Sequence, residues 1–174
     1  MNLSNVSNIR FNNEDVKLIK IDGSIVYNHG PGKNLFDTDA FVIDWQSKEP
    51  SYVSKVIVDE EEVLMVFDGE KLWKKEKGFA IPVEQGKTYV LSCDCRAVDG
   101  TFTNGLFCLR SGSTTLYCKC RSNTWVRSSV VITAEEDNIY ICSGYSYSKY
   151  YYAKNIQLEL GDVATEYEPY RKVY

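Results

Sequence analysis

The side chains of this chain that can do chemistry are aromatic and cationic. Three tryptophans (Trp45, Trp73, Trp125) and a tyrosine cluster (Tyr145, Tyr147, Tyr150, Tyr151, Tyr152) stand out. Flat rings of this kind stack on the apolar faces of sugars while the tyrosine O–H and tryptophan N–H stay in water. Catalytic groups are sparser. The one histidine, His29, lies in the Gly/Pro segment NHGPGK and reads as a solvated side chain. There is no Gly-x-Ser-x-Gly elbow and no phosphate-binding glycine loop. Carboxylates are plentiful, and a glycosidase would need two of them facing across a cleft, about 5–10 Å apart. The run Asp59, Glu60, Glu61, Glu62 reads instead as a solvated turn, since like charges that close repel unless water screens them. A non-enzyme is expected, with a small glycan-active hydrolase as the minority reading.

The six cysteines fall at positions 93, 95, 108, 118, 120 and 142, and include two Cys-x-Cys pairs. On a strand, residues i and i+2 share a face, so each pair lines one face. The two pairs meet only if their strands are neighbours, and four thiolates could then bind zinc. No histidine supports such a site, and the spacing is not that of a zinc ribbon. Buried reduced thiols, a disulfide and a metal site all stay open. Reduced thiols come first, because free Cys behaves as a small hydrophobe and cytosolic chains rarely oxidise. The opening MNLSNVSNIRFNN lacks the apolar stretch of a secretory signal, so folding in a cytosol is expected.

The elements that must position these groups are strands. Period-2 runs include VKLIKI, VSKVIVD, EEVLMVF, TYVLSCDCRA, GLFCLR, LYCKCRS, WVRSSVVIT, NIYICSG and KNIQLEL, separated by turn residues. No 3.6-residue apolar stripe persists, and Asp68-Gly69 reads as a hairpin turn. Many short strands at regular spacing predict an all-β fold, a two-layer antiparallel β-sandwich. The NHGPGK segment marks a boundary: an N-terminal β-hairpin module over 1–29 turning at Asp22-Gly23, a linker over 30–33, and the sandwich over 34–174. A lone hairpin is marginal in water, which points to a docking or oligomerisation module.

Alternation then sorts the side chains. Tyr89, Leu91, Cys93, Cys95 and Ala97 face inward, leaving Ser92, Asp94 and Arg96 outward. Leu116, Cys118 and Cys120 face inward, leaving Tyr117, Lys119 and Arg121 outward. Trp125 opens a strand and is expected in the core, given the area it buries. Trp45 and Trp73, in DWQSKEP and KLWKKEK, are expected at the surface. A net charge of −4 gives nucleic acid no electrostatic attraction, and no apolar run approaches the ~18–20 residues of a membrane span.

KNIQLELGDVATEYEPY (154–170) resembles the closing segment of jelly-roll modules in phage tail, baseplate and receptor-binding proteins. NLF (34–36) is similar to their opening, VEQGKTYVLSCDCRA (83–97) to their middle strand and NTWVRSSVVIT (123–133) to their Trp-x-Arg strand. IRFNNEDVKLIKIDGSIVY resembles short modules at the start of such proteins. The resemblance implies a carbohydrate-binding-module-like jelly roll on a virion structural or adhesion protein. Its expected partners are a bacterial surface glycan, other virion proteins and further copies of itself. A purely structural capsid, collar or baseplate component without a ligand is the alternative. The expected contacts are Trp45, Trp73, Tyr145 and Tyr147 as stacking rings, with Arg96 and Lys119 as polar anchors. The resemblance also implies a structural calcium, for which Asn34, Asp37 and Glu159 offer the oxygen donors a hard cation wants.

Overall fold

The computed structural model describes residues 33–98, 103–144 and 149–171, together with strand backbones at 8–11, 14–21 and 24–28. The chain divides into two compact units, 1–32 with 171–174, and 33–170. In the first, β2 (Glu14–Ile21) and β3 (Ser24–Asn28) pair antiparallel. A further strand, β1 (Asn8–Phe11), pairs along the other side of β2. The Asp22-Gly23 turn and His29 lie outside the described residues.

The second unit is a two-layer antiparallel sandwich. One sheet has five strands: β10 (Val126–Thr133), β7 (Thr88–Ala97), β12 (Lys149–Leu160), β5 (Glu61–Asp68) and β4 (Val53–Val58), in that order. The other has four: β6 (Phe79–Pro82), β11 (Asn138–Ser143), β8 (Thr103–Ser111) and β9 (Thr114–Cys120). Inward side chains of both sheets meet in one core, with Leu91, Cys93, Cys95, Tyr151 and Leu158 from one layer and Phe107, Leu109, Cys118, Ile139 and Ile141 from the other. The alternation expected for β7 and β9 holds. In the tyrosine run only Tyr151 is fully enclosed; Tyr150 is 39% exposed and packs on Phe67, with ring centroids 4.9 Å apart.

Two local expectations fail. The segment after Asn34 forms a helix, α1 (Thr38–Lys48), begun by Asp37, whose carboxylate accepts from the Ala40 N–H at 3.0 Å. Phe41, Val42 and Trp45 turn inward and pack beside the edge strands β4 and β6. The expected hairpin at Asp68-Gly69 is also absent: the chain leaves β5 there and makes two short 3₁₀ turns, Glu70–Leu72 and Lys75–Lys77, beside β11. The hairpin lies earlier, where Asp59 and Glu60 join β4 to β5 with φ of 54° and 68°. Two left-handed residues in a two-residue loop match the twist of paired strands. Among the described residues no helix is long and apolar enough to cross a membrane.

Candidate functional site

The outer face of the five-stranded sheet carries a group of aromatic and charged side chains. Tyr152 and Arg96 are directly opposed on β12 and β7. Trp125, just before β10, lies on the same face. The Arg96 guanidinium sits 5.1 Å from the Trp125 ring centroid and 5.2 Å from that of Tyr152. Such contacts are worth about 0.5–1 kcal/mol when exposed and more when desolvated. Asp59 holds the group together: it accepts from the Trp125 indole N–H at 3.2 Å and pairs with Arg96 at 3.3 Å. Lys154 lies 4.7 Å from the same indole ring and forms an ion pair with Glu61. The left-handed β4–β5 turn thus delivers the carboxylate that orients the rings.

A bulge shapes the neighbouring ground. The β7–β12 register slips between Lys154 and Gln157, with Asn155 at φ 51°. Its amide donates to Asp94 at 2.6 Å, and its carbonyl accepts from Arg127 at 2.7 Å. Bulges of this kind re-aim side chains, often beside functional sites. β5 and β12 pair only from Leu64 to Asp68 and from Lys149 to Ala153. Beyond that they part around a hollow of about 510 Å³, whose lining includes Asp39, Glu61, Lys154, Asn155 and Tyr167. Ligand sites commonly span about 300–1,000 Å³. The hollow and the ring group share Glu61 and Lys154, so they form one continuous surface. Hydrogen bonds that the Lys55 ammonium donates to the Asp39 and Glu62 carboxylates hold its pKa above its ordinary value. Burial pushes the Tyr167 hydroxyl up, against the nearby Arg127 charge.

Of the six residues expected to contact a glycan, the four that are described, Trp45, Trp73, Arg96 and Lys119, do not come together. Trp45 is fully enclosed, packed on Phe41 with ring centroids 4.5 Å apart, so its expected surface position is corrected: the helix turns it inward. Trp73 is half-buried at the end of the first 3₁₀ turn, with the Arg110 guanidinium 4.2 Å from its ring centroid. Lys119 is exposed on β9 and lines a separate hollow of about 480 Å³ with Tyr117, where β9 meets β10. Of these four, Arg96 alone belongs to the ring group. Tyr145 and Tyr147 lie outside the described residues. Trp125, expected in the core, is half-buried on the outer face. The available signal was the outward parity of Arg96; that Tyr152 stands opposite it follows only from the β7–β12 pairing.

The expected calcium ligands have other work. The Asn34 amide donates to the carbonyls of Ile156 and Glu168 at 3.1 and 2.9 Å, and its oxygen accepts from Phe36 and Leu158. Asp37 caps α1. Glu159 accepts from the Thr165 N–H and hydroxyl at 2.9 and 2.6 Å and from the Gln157 amide. Each of the three is thus already engaged in hydrogen bonds, Asn34 and Glu159 through the shared Gln157 and Glu168, and among the described residues no group of three His, Cys, Asp or Glu is arranged to hold a metal.

No family model matches the chain, and no curated protein is similar to it. Among solved structures, it is similar to the CBM22-1 and GH10 modules of endo-1,4-β-D-xylanase 10B from Clostridium thermocellum, complexed with xylohexaose. The identity is 13% and the TM-score 0.44, over 67% of this chain and 26% of that one. It is similar to the CBM22-1 xylan-binding domain of Xyn10C from Paenibacillus barcinonensis at 13% identity and TM-score 0.41, over 64% and 83% of the two chains. The tandem CBM22-1-CBM22-2 domain of that protein gives 14% identity and TM-score 0.41, over 66% and 41%. The chain thus spans less than half the length of the first and third of these.

Proposed function

We propose that the sandwich unit is a non-catalytic glycan-binding module whose site is the Trp125–Arg96–Tyr152 group with the adjoining β5–β12 hollow. The observation that carries this reading is the placing of two half-buried rings about one guanidinium on the outer face of the sheet. Pyranose C–H faces stack on such rings. Asp59, Lys154 and Asn155 stand within the same surface and offer acceptors and donors to sugar hydroxyls. The finer reading is a bacterial surface glycan bound by a structural or adhesion component of a phage-like virion. Its support is the ordered resemblance of 34–36, 83–97, 123–133 and 154–170 to such modules. The unit at 1–32 would then attach the sandwich to other virion proteins or to a second copy.

Titration against a panel of bacterial surface oligosaccharides tests the site. Trp125→Ala should weaken binding by about tenfold or more, the equivalent of roughly 1.4 kcal/mol, while Trp73→Ala should leave it unchanged. Unaltered binding by Trp125→Ala, or no binding by the unmutated chain, sinks the proposal.

One observation favours a purely structural component instead. Arg96 and Lys154 both already lie over the Trp125 ring, an arrangement that also serves as internal packing. Light scattering after size exclusion separates the readings: a stable assembly that is lost on removing 1–32, with no glycan signal, supports the structural one.

A further inference from the structure

We propose that the six cysteines close as three disulfides, Cys93–Cys118, Cys95–Cys120 and Cys108–Cys142, when the chain folds in the presence of a small-molecule disulfide. The inference is independent of the glycan reading.

The first two pairs follow from one register. Cys93 Sγ lies 3.9 Å from Cys118 Sγ, at a sequence offset of 25. The same offset continues along β7 and β9. Cys95 Sγ reaches the carbonyl of Lys119 at 3.9 Å, beside Cys120, and the Ala97 N–H donates to Ser122 O at 2.8 Å. Cys93 meets Cys118 and Cys95 meets Cys120 like rungs between the two sheets. Inward parity in both strands makes every sulfur point into the gap.

The third pair comes from a different contact. Cys108 and Cys142 are direct partners across β8 and β11. Opposed residues of an antiparallel pair have Cα atoms about 4.5–5.5 Å apart, inside the roughly 4.4–6.8 Å that a disulfide needs. Both lie apart from the main core, and Cys142 sits beneath the 3₁₀ segment, with Sγ 3.8 Å from the Lys74 carbonyl. The six cysteines thus fall into three pairs, two across the sandwich and one across neighbouring strands, with none left over.

All six thiols are fully enclosed once the sandwich has closed. Burial pushes the Cys108 thiol up and the Cys142 thiol up to about 12. The Cys108 and Cys142 thiols therefore hold little of the attacking thiolate, and no small disulfide reaches any of the six in the closed core, so the exchange belongs to folding. A cysteine thiolate attacks the small disulfide, forming a mixed disulfide and releasing one thiol. The partner thiolate then attacks the mixed disulfide and releases the second. Two cysteine thiols are oxidised, and one disulfide is reduced to two thiols.

The test is refolding of the full chain from denaturant with reduced and oxidised glutathione, followed by alkylation, intact mass measurement and unreduced peptide mapping. Asp94 separates Cys93 from Cys95, and Lys119 separates Cys118 from Cys120. Cleavage before Asp94 and after Lys119 therefore resolves the two rungs. The expected result is a chain with native circular dichroism, no alkylated cysteine, a loss of about two mass units per bond and the three named links. The Cys108→Ser/Cys142→Ser double variant should keep both rungs. Six alkylated thiols in a natively folded chain overturn the proposal. So do links within a Cys-x-Cys pair, loss of the native spectrum on oxidation, or one zinc ion per chain that shields four thiols from alkylation.

Discussion

Glu159 shows that direction and surroundings are separate questions for one side chain. Alternation along β12 sets it opposite Ile156 and Leu158, both of which enter the core. Yet it is 3% exposed, because the chain after β12 folds back over it. Burial alone would raise its pKa, but the Thr165 N–H, the Thr165 hydroxyl and the Gln157 amide outweigh that and hold it below the ordinary carboxylate value. A carboxyl with a depressed folded pKa stabilises fully above its unfolded value, about 4.3, and loses that contribution as pH falls through the folded value. Glu159→Gln should therefore cost about 1–3 kcal/mol at neutral pH. It should also flatten the loss of stability on acidification below about pH 4. Urea titrations at a series of pH values check this; parallel acid limbs for mutant and wild type would show that Glu159 has no such role. The tryptophans teach a related lesson. Trp45 and Trp125 exchanged the positions expected of them, because local polarity does not reveal which element a ring sits on.

Among elements, strands were the most legible and α1 the least. Alternation in β7, β9 and β12 reads directly from Tyr89 to Ala97, Leu116 to Cys120 and Ile156 to Leu158, because one face of each must enter the core. The helix turns Phe41, Val42 and Trp45 inward but leaves Ile43 exposed, so no persistent apolar stripe stands out. Its clearest mark is Asp37, followed three residues later by the N–H it accepts. Asp37→Ala should lower stability by about 1 kcal/mol, measured by urea unfolding, and Asp37→Asn should restore most of it. If Ala and Asn cost the same, the cap is not what begins α1. The β4–β5 turn escaped for a different reason. Asp59 and Glu60 occupy left-handed backbone that glycine or asparagine usually fills, while the glycine-bearing Asp68-Gly69 does not turn a hairpin.

On the scale of the whole molecule, sandwich architecture was legible and the site was not. Strand count and spacing point to two layers whichever strands are neighbours. The ring group depends on that pairing: Arg96, Trp125 and Tyr152 come from β7, the approach to β10, and β12, while Asp59 reaches them from a distant turn. The core of the second unit draws on residues between Phe36 and Leu158. A chain lacking 1–32 should therefore keep its circular dichroism and melt cooperatively within a few degrees of the parent. A non-cooperative transition would show that the first unit is needed for folding.

The network around Asn34 has one more consequence. Its side chain binds Glu168 near the unit's end, and Lys33 pairs with Glu168 at 3.2 Å. The two ends of the sandwich are thus stitched side by side. A fold with adjoining ends works as a cassette: it can be spliced into a surface loop of a host protein, strung in tandem, or rewired by joining its ends and cutting elsewhere. In every such arrangement the ring-bearing face keeps its own geometry, since the graft points meet at the stitch and not across the sheet.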